Sequence, residues 1–203
     1  MVADGTTAPR SRQAPIRIGA VVALAVAIAF VVWLAVRGDD NSSSTATTST
    51  VQSTTPTKTV PRPRETVKAA SLASLRALAR ASGHPIYWAG PQPDVKYELT
   101  QVTDGRIYIR YLPKSVPIRT KHLYPIVATY PVPNAYKAVR TAAKESGAVT
   151  FRTTRGGLAV YNQSAATNVY LAFPGSRYQV EVFDPNPSRA RQLVRSGTVR
   201  PIA

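Results

Sequence analysis

The chain has 203 residues, no cysteine and two histidines, and its 26 Lys and Arg against 10 Asp and Glu give a formal charge of +16. Without cysteine there is no disulfide framework, thiolate metal site or lipid-attached cysteine. The charge favours anionic partners: phospholipid headgroups, wall polymers, nucleic acid or an acidic protein.

The stretch from Ile18 to Val36 has no charge and no proline over nineteen residues. As a helix it would span roughly 28 Å, close to the hydrocarbon thickness of a bilayer. A removable secretory signal has a shorter apolar run, about 7–15 residues, and then a small-residue cleavage site. Here the corresponding place reads Ala35-Val36-Arg37, so a retained transmembrane helix is expected. Arg10, Arg12 and Arg17 precede it, and Arg37 alone follows before Asp39 and Asp40. That bias places the amino terminus in the cytoplasm and the rest of the chain outside it. Trp33 then sits near the outer end, at the headgroup level.

Four segments follow: a cytoplasmic tail over 1–17, the membrane span over 18–36, a linker over 37–66 and a domain over 67–203. Serine and threonine make up 13 of the 20 residues from Asn41 to Val60. Such a segment buries too little apolar surface to offset its ordering entropy. With Pro61-Arg62-Pro63 at its end it reads as a tether, reaching on the order of 30 Å.

Within the domain, Leu72, Leu75, Leu78 and Ala79 recur at helical spacing before Ser82-Gly83. Tyr136, Val139 and Ala143 do so before Ser146-Gly147, with Asn134 as the expected N-cap. Ala190, Leu193 and Val194 do so before Ser196-Gly197, with Asn186 capping and Pro187 at the first helical position. Glycine after each run suits the left-handed conformation that closes a helix. Strands are expected between them: Pro85–Trp88, a hairpin turning at Asp104-Gly105, a strand in LYPIVATYPV, and hairpins turning at Gly156-Gly157 and Pro174-Gly175. Pro125 and Pro131 should confine LYPIVATYPV to a sheet edge or end. In RYQVEVFD, the residues Tyr178, Val180 and Val182 alternate with Gln179 and Glu181, which predicts one buried and one wet face. The expected fold is α+β, an antiparallel sheet with helices on one face. Helix, Ser-Gly, strand and hairpin recur in both halves. Two copies of one such unit are one reading of this, and the preference of helix ends for glycine is the other.

For chemistry the domain offers two histidines and six acidic residues. His84 lies just past a helix end and His122 in a polar loop, each reading as structural or solvated. Asp94, Glu98 and Asp104 are the available carboxylates, but Asp104 belongs to its turn and Glu98 fits an exposed strand position. No metal-ligand spacing, nucleophile elbow or phosphate loop occurs, so no catalytic residue, metal or cofactor is assigned. Charge is the strong signal: in residues 67–203, 19 Lys and Arg against six Asp and Glu leave +13. Arg189, Arg191, Arg195 and Arg200 are the densest group and the expected anion-binding site, with Arg191 and Arg195 sharing a helix face. Lys114, Arg119 and Lys121 form a second basic stretch, read as a solvated loop. Tyr87 and Trp88 are candidate groove aromatics, and Tyr108 and Tyr111, interleaved with Arg106 and Arg110, a candidate stacking face. The expected function is a membrane-anchored, extracytoplasmic module binding anionic lipids, wall polymers or an acidic partner protein. An accessory subunit docking through its tyrosine-rich sheet face is the alternative, and a wall-glycan hydrolase a minor one. Nothing specific points to nucleic acid.

Overall fold

The computed structural model describes residues 63–203; the tail, the expected membrane span and the linker through Arg62 lie outside the described residues. Among the described residues no helix is long and apolar enough to cross a membrane.

This region is an α+β fold with a large antiparallel sheet and three helices. The chain runs β1 (Glu65–Ala70), α1 (Leu72–Ser82), β2 (Tyr87–Trp88), β3 (Val95–Val102), β4 (Ile107–Pro113) and β5 (Ile126–Pro131). It continues through α2 (Ala135–Ala142), β6 (Ala148–Arg152), β7 (Leu158–Asn162), β8 (Asn168–Ala172), β9 (Tyr178–Phe183), α3 (Pro187–Arg195) and β10 (Arg200–Pro201). Eight strands form one sheet in the order β1-β3-β4-β5-β9-β8-β7-β6, and β2 pairs with β10 in a separate ribbon. The predicted helices and hairpins are present. β1 was not expected, and it takes in Glu65 and Thr66 from the end of the segment read as linker. Its sequence, ETVKAA, has no alternation of its own, and it is held by six residue pairs with β3.

Two local expectations change. β5 is central, between β4 and β9. Pro125 precedes the strand and Pro131 is its last residue, so neither interrupts the ladder. Asn134 occupies the N-cap place of α2 with φ 58° but makes no side-chain cap bond, whereas Asn186 caps α3 by accepting from the amides of Ser188 and Arg189.

The helices divide between the two sheet faces and do not share one as expected. On the front, Leu99, Ile109, Val127, Val169, Leu171, Val180 and Val182 pack with Leu75 of α1 and with Ala190 and Val194 of α3. The β2–β10 ribbon closes the same core with Ile86, Tyr87, Trp88, Val199 and Ile202. On the back, Ala128, Tyr130, Val160 and Ala172 pack with Ala135 and Val139 of α2. Both faces of the central strands carry buried side chains, so each needs a covering layer. The halves therefore resemble each other as two antiparallel runs joined at β5–β9, but not in helix placement: α1 is in front and α2 behind.

Where no helix covers the back, the β4–β5 connection does. Arg110 on β4 pairs with Glu98 on β3 at 3.2 Å, and their side chains are 15 % and 6 % exposed. Arg110 donates to the carbonyls of Thr120 (3.0 Å) and His122, and the amide of Arg119 donates to Glu98. The pair thus straps residues 119–122 onto the sheet. Glu98, expected on an exposed position, is buried because this loop folds over it. At the far end of α3, Gly197 has φ +73°, and a Cβ there would lie 2.2 Å from Thr154 Oγ1. Only glycine allows that approach.

Replacing Glu98 with alanine would leave Arg110 half-sealed without its counter-charge. Chemical denaturation of the domain is expected to show a loss of about 3 kcal/mol, with faster amide exchange in residues 119–122. An unchanged midpoint would show that the pair does not hold the loop.

Candidate functional site

α3 presents its small and apolar residues, Ala190 and Val194, to the front core. Its arginines fall on two flanks, because successive helical residues turn by about 100°. Arg191 and Arg195 lie four apart on one flank. The Arg191 guanidinium rests 5.2 Å from the Tyr161 ring and the Arg195 guanidinium 4.7 Å from the Phe151 ring. Tyr161 is on β7 and Phe151 on the neighbouring β6, both on the front face. Each cation–π contact is worth about 0.5–1 kcal/mol at an exposed site. It also steadies the guanidinium without neutralising it, leaving N–H donors that can take an oxyanion. Arg191 makes one further bond, to Ser188 Oγ at 3.0 Å.

Arg189 points elsewhere. Its Nε lies 3.4 Å from the buried Asp184 carboxylate, and it donates to Gln92 at 3.4 Å. The Asp184 contact is an ion pair without the alignment of a hydrogen bond. Arg200 sits on the β10 ribbon, exposed, in register with Trp88. The structure therefore brings Arg191 and Arg195 together and gives Arg189 and Arg200 separate places. Two neighbours were missed in the sequence: Arg152 at the end of β6, donating to Tyr136 at 2.9 Å, and Arg155 in the β6–β7 turn, donating to the Gly197 carbonyl at 3.2 Å. Arg155 reaches the end of α3 at the close approach of Gly197, for which the sequence carries no signal beyond the glycine itself, whereas Arg152 lies on the back face against α2. Among the described residues no acidic side chain pairs with Arg152, Arg155, Arg191, Arg195 or Arg200.

The candidate aromatics do not form one surface. Tyr87 and Trp88 are buried in the front core, where Tyr87 stacks on Phe173 at 5.9 Å. They line no groove. Tyr108 and Tyr111 are an odd number of residues apart, so they project from opposite faces. Tyr111 is in the front core, where its hydroxyl accepts from the amide of Ala89 at 2.6 Å. Tyr108 shares the back face with Arg106 and Arg110. It stands edge-on to Tyr130, with ring centroids 5.7 Å apart, and Arg106 donates to its hydroxyl at 3.3 Å. Its place is within a polar cluster of the sheet, not an open stacking platform.

At the centre of that cluster lies Glu181, predicted on a wet face but 6 % exposed, beside the equally buried Gln179. Tyr130, Asn168 and Tyr170 all donate to its carboxyl group, Tyr170 at 3.2 Å. Alternation indicated a second face correctly; α2 and the neighbouring tyrosines make that face dry. Burial pushes the Glu181 carboxyl above the ordinary carboxylate range, more than the three donors pull it down. Burial likewise raises the Tyr130 and Tyr170 hydroxyls, so they remain donors.

Of the other acids, Asp94 pairs with Lys114 at 3.0 Å and Asp104 with Arg106 at 2.8 Å. His84 stacks on Tyr178 with centroids 5.0 Å apart, and His122 contributes its carbonyl to the Arg110 strap. Among the described residues no three His, Cys, Asp or Glu side chains gather in a metal-holding group. Comparison of the chain with protein-family models, with curated proteins and with solved structures finds no match.

Glu181 gives a pH signature of known sign. A carboxyl raised in the folded state contributes most to stability below its unfolded value, and that contribution is lost as pH rises through its folded value. Glu181→Gln is expected to flatten this fall: across the window just above the ordinary carboxylate range, the wild-type midpoint in urea should drop relative to that of the variant. Parallel profiles would show that Glu181 titrates normally.

Proposed function

We propose that this protein is a membrane-anchored binding module that holds an anionic envelope component, lipid headgroup or wall polymer, on the basic flank of α3. The observation that carries this reading is the pair Arg191 and Arg195, held over the Tyr161 and Phe151 rings with no acidic partner among the described residues. Two guanidinium groups one helical turn apart suit a phosphate or carboxylate group. The +13 of the domain adds long-range attraction that draws such ligands in and weakens with salt. Arg155 extends the basic area at the end of α3, and Arg189 is partly engaged by Asp184.

The membrane anchor belongs to the same proposal. Ile18–Val36 spans the bilayer with the amino terminus inside, and the Ser/Thr-rich segment tethers the basic domain close to its outer surface. The supports are the length of the uncharged run and the three-to-one excess of arginine before it. An isolated binding surface held near a charged membrane gains from high local concentration.

Two measurements test this. Residues 63–203, which include all of β1, are to be sedimented with anionic and with neutral vesicles across a salt series. Binding is expected to anionic vesicles alone, weakening steeply with salt. Arg191→Gln and Arg195→Gln should each lower affinity about fivefold, the equivalent of about 1 kcal/mol per basic side chain at an anionic surface. Retention of full affinity by the double variant would remove the site. For orientation, the chain contains no cysteine, so a single Ser43→Cys substitution provides a clean label. A membrane-impermeant maleimide should modify it in intact cells; labelling only after lysis would reverse the assignment.

A further inference from the structure

We propose that β6 is an open docking edge that accepts an extended acidic segment of a partner protein as an additional strand of the sheet. The sheet ends at β1 on one side and β6 on the other. β6 pairs with β7 from Ala148↔Asn162 to Arg152↔Leu158. The ladder is bracketed by bonds from Gln163 to the Gly147 carbonyl and from Thr153 to the Gly157 carbonyl, both 2.9 Å. Because backbone direction alternates along a strand, Val149 and Phe151 then turn their amides and carbonyls towards β7. Thr150 and Arg152 turn theirs outward, as Ala148 does its carbonyl. The Ala148 amide bonds to the Glu145 carbonyl at 3.1 Å. Thr150 and Arg152 are exposed. An added strand finds about five backbone groups waiting.

The surroundings choose the partner. Side chains of an incoming strand project alternately to the two faces of the sheet. On the front they meet Arg195 over Phe151 and Arg191 over Tyr161; on the back they meet Arg152 beside Tyr136. Arg155 stands at the hairpin end, and Glu145 in the preceding connection is the one acid nearby in sequence. Carboxylates on either face of the guest therefore find arginine. The same charges oppose a second copy of β6, since two such edges would bring their arginines together. The opposite edge lacks this selectivity, with Arg64, Glu65 and Lys68 mixing both signs. The inference uses the basic surface of the proposed function, but adds a requirement for backbone pairing that a lipid or polymer does not have.

The test uses the full chain in non-ionic detergent and an end-blocked ten-residue peptide alternating glutamate and threonine. The peptide is expected to slow amide exchange at Thr150 and Arg152 at least fivefold, with affinity falling as salt rises. The lysine–threonine counterpart should not bind. Thr150→Pro removes an outward amide while sparing the β6–β7 ladder, as proline allows on an edge strand, and should weaken binding at least tenfold. Arg152→Glu with Arg195→Glu should transfer binding to the lysine peptide, a gain that misfolding cannot imitate. Three results would overturn the inference. The first is no peptide binding, or binding that ignores Thr150→Pro, which would leave charge alone at work and the anion-binding reading intact. The second is protection of Thr150 and Arg152 that grows with protein concentration in the absence of peptide, assigning the edge to a second copy. The third is protection of these amides by anionic vesicles but not by the peptide.

Discussion

The pairing of β5 with β9 is the joint on which the domain depends. It is the one connection between the strands β1-β3-β4-β5 and the strands β9-β8-β7-β6, running from Ile126↔Phe183 to Pro131↔Tyr178. Strands at such a joint bury both faces, so their alternating residues build two cores at once. Val127 with Val182 and Thr129 with Val180 face α1, α3 and the ribbon; Ala128 with Glu181 and Tyr130 with Gln179 face the back. The cost is that two polar residues of β9 are enclosed. Glu181 is accommodated because its neighbours are tyrosines and an asparagine that can donate, where an alkyl side chain would leave an unsatisfied carboxyl group.

Charge follows from how few acids there are. Asp94, Glu98, Asp104 and Asp184 each stand against one cation, and each pair sits at a turn, strap or cap. Glu181 is enclosed by neutral donors. Among the described residues none of the remaining arginines pairs with a carboxylate, and several adopt aromatic rings or backbone carbonyls as partners. Those contacts hold a guanidinium without neutralising it. The α3 flank and the β6 end thus stay positive at the place where the sheet leaves backbone groups unpaired. Arginines around this edge would repel those of a second copy, which fits a selective use of the edge.

Much of the local structure was legible in the residues. The three Ser-Gly junctions follow helical runs, and Gly83, Gly147 and Gly197 all take the left-handed conformation. Asn186-Pro187 starts α3 as its chemistry implies, and the hairpins turn where glycine permits. Turn residues located the hairpins β3–β4, β6–β7 and β8–β9, with period-two alternation marking β9. These features depend on neighbours within a few residues, which is the range over which sequence pattern acts. β1 escaped because its place is set by β3, about thirty residues away along the chain.

What the sequence by itself determined is therefore the helices, the hairpins and their turns, the excess of positive charge and the long apolar run ahead of the domain. The tertiary structure decided which faces are dry and which charges are spent. Glu98 and Glu181 look exposed in an alternating strand, because alternation says that two faces differ without saying what covers each. The covering pieces, the β4–β5 loop for Glu98 and α2 with its tyrosines for Glu181, come from elsewhere in the chain. Tyr87 and Trp88 likewise became core only when the β2–β10 ribbon closed over the front. Among the four arginines first singled out, helix periodicity paired Arg191 with Arg195, and the packing of α3 against β6 and β7 gave that pair its aromatic seats. Arg155 joined them through a close approach at Gly197 between distant segments. Such proximity is a property of packing, and no local pattern encodes it.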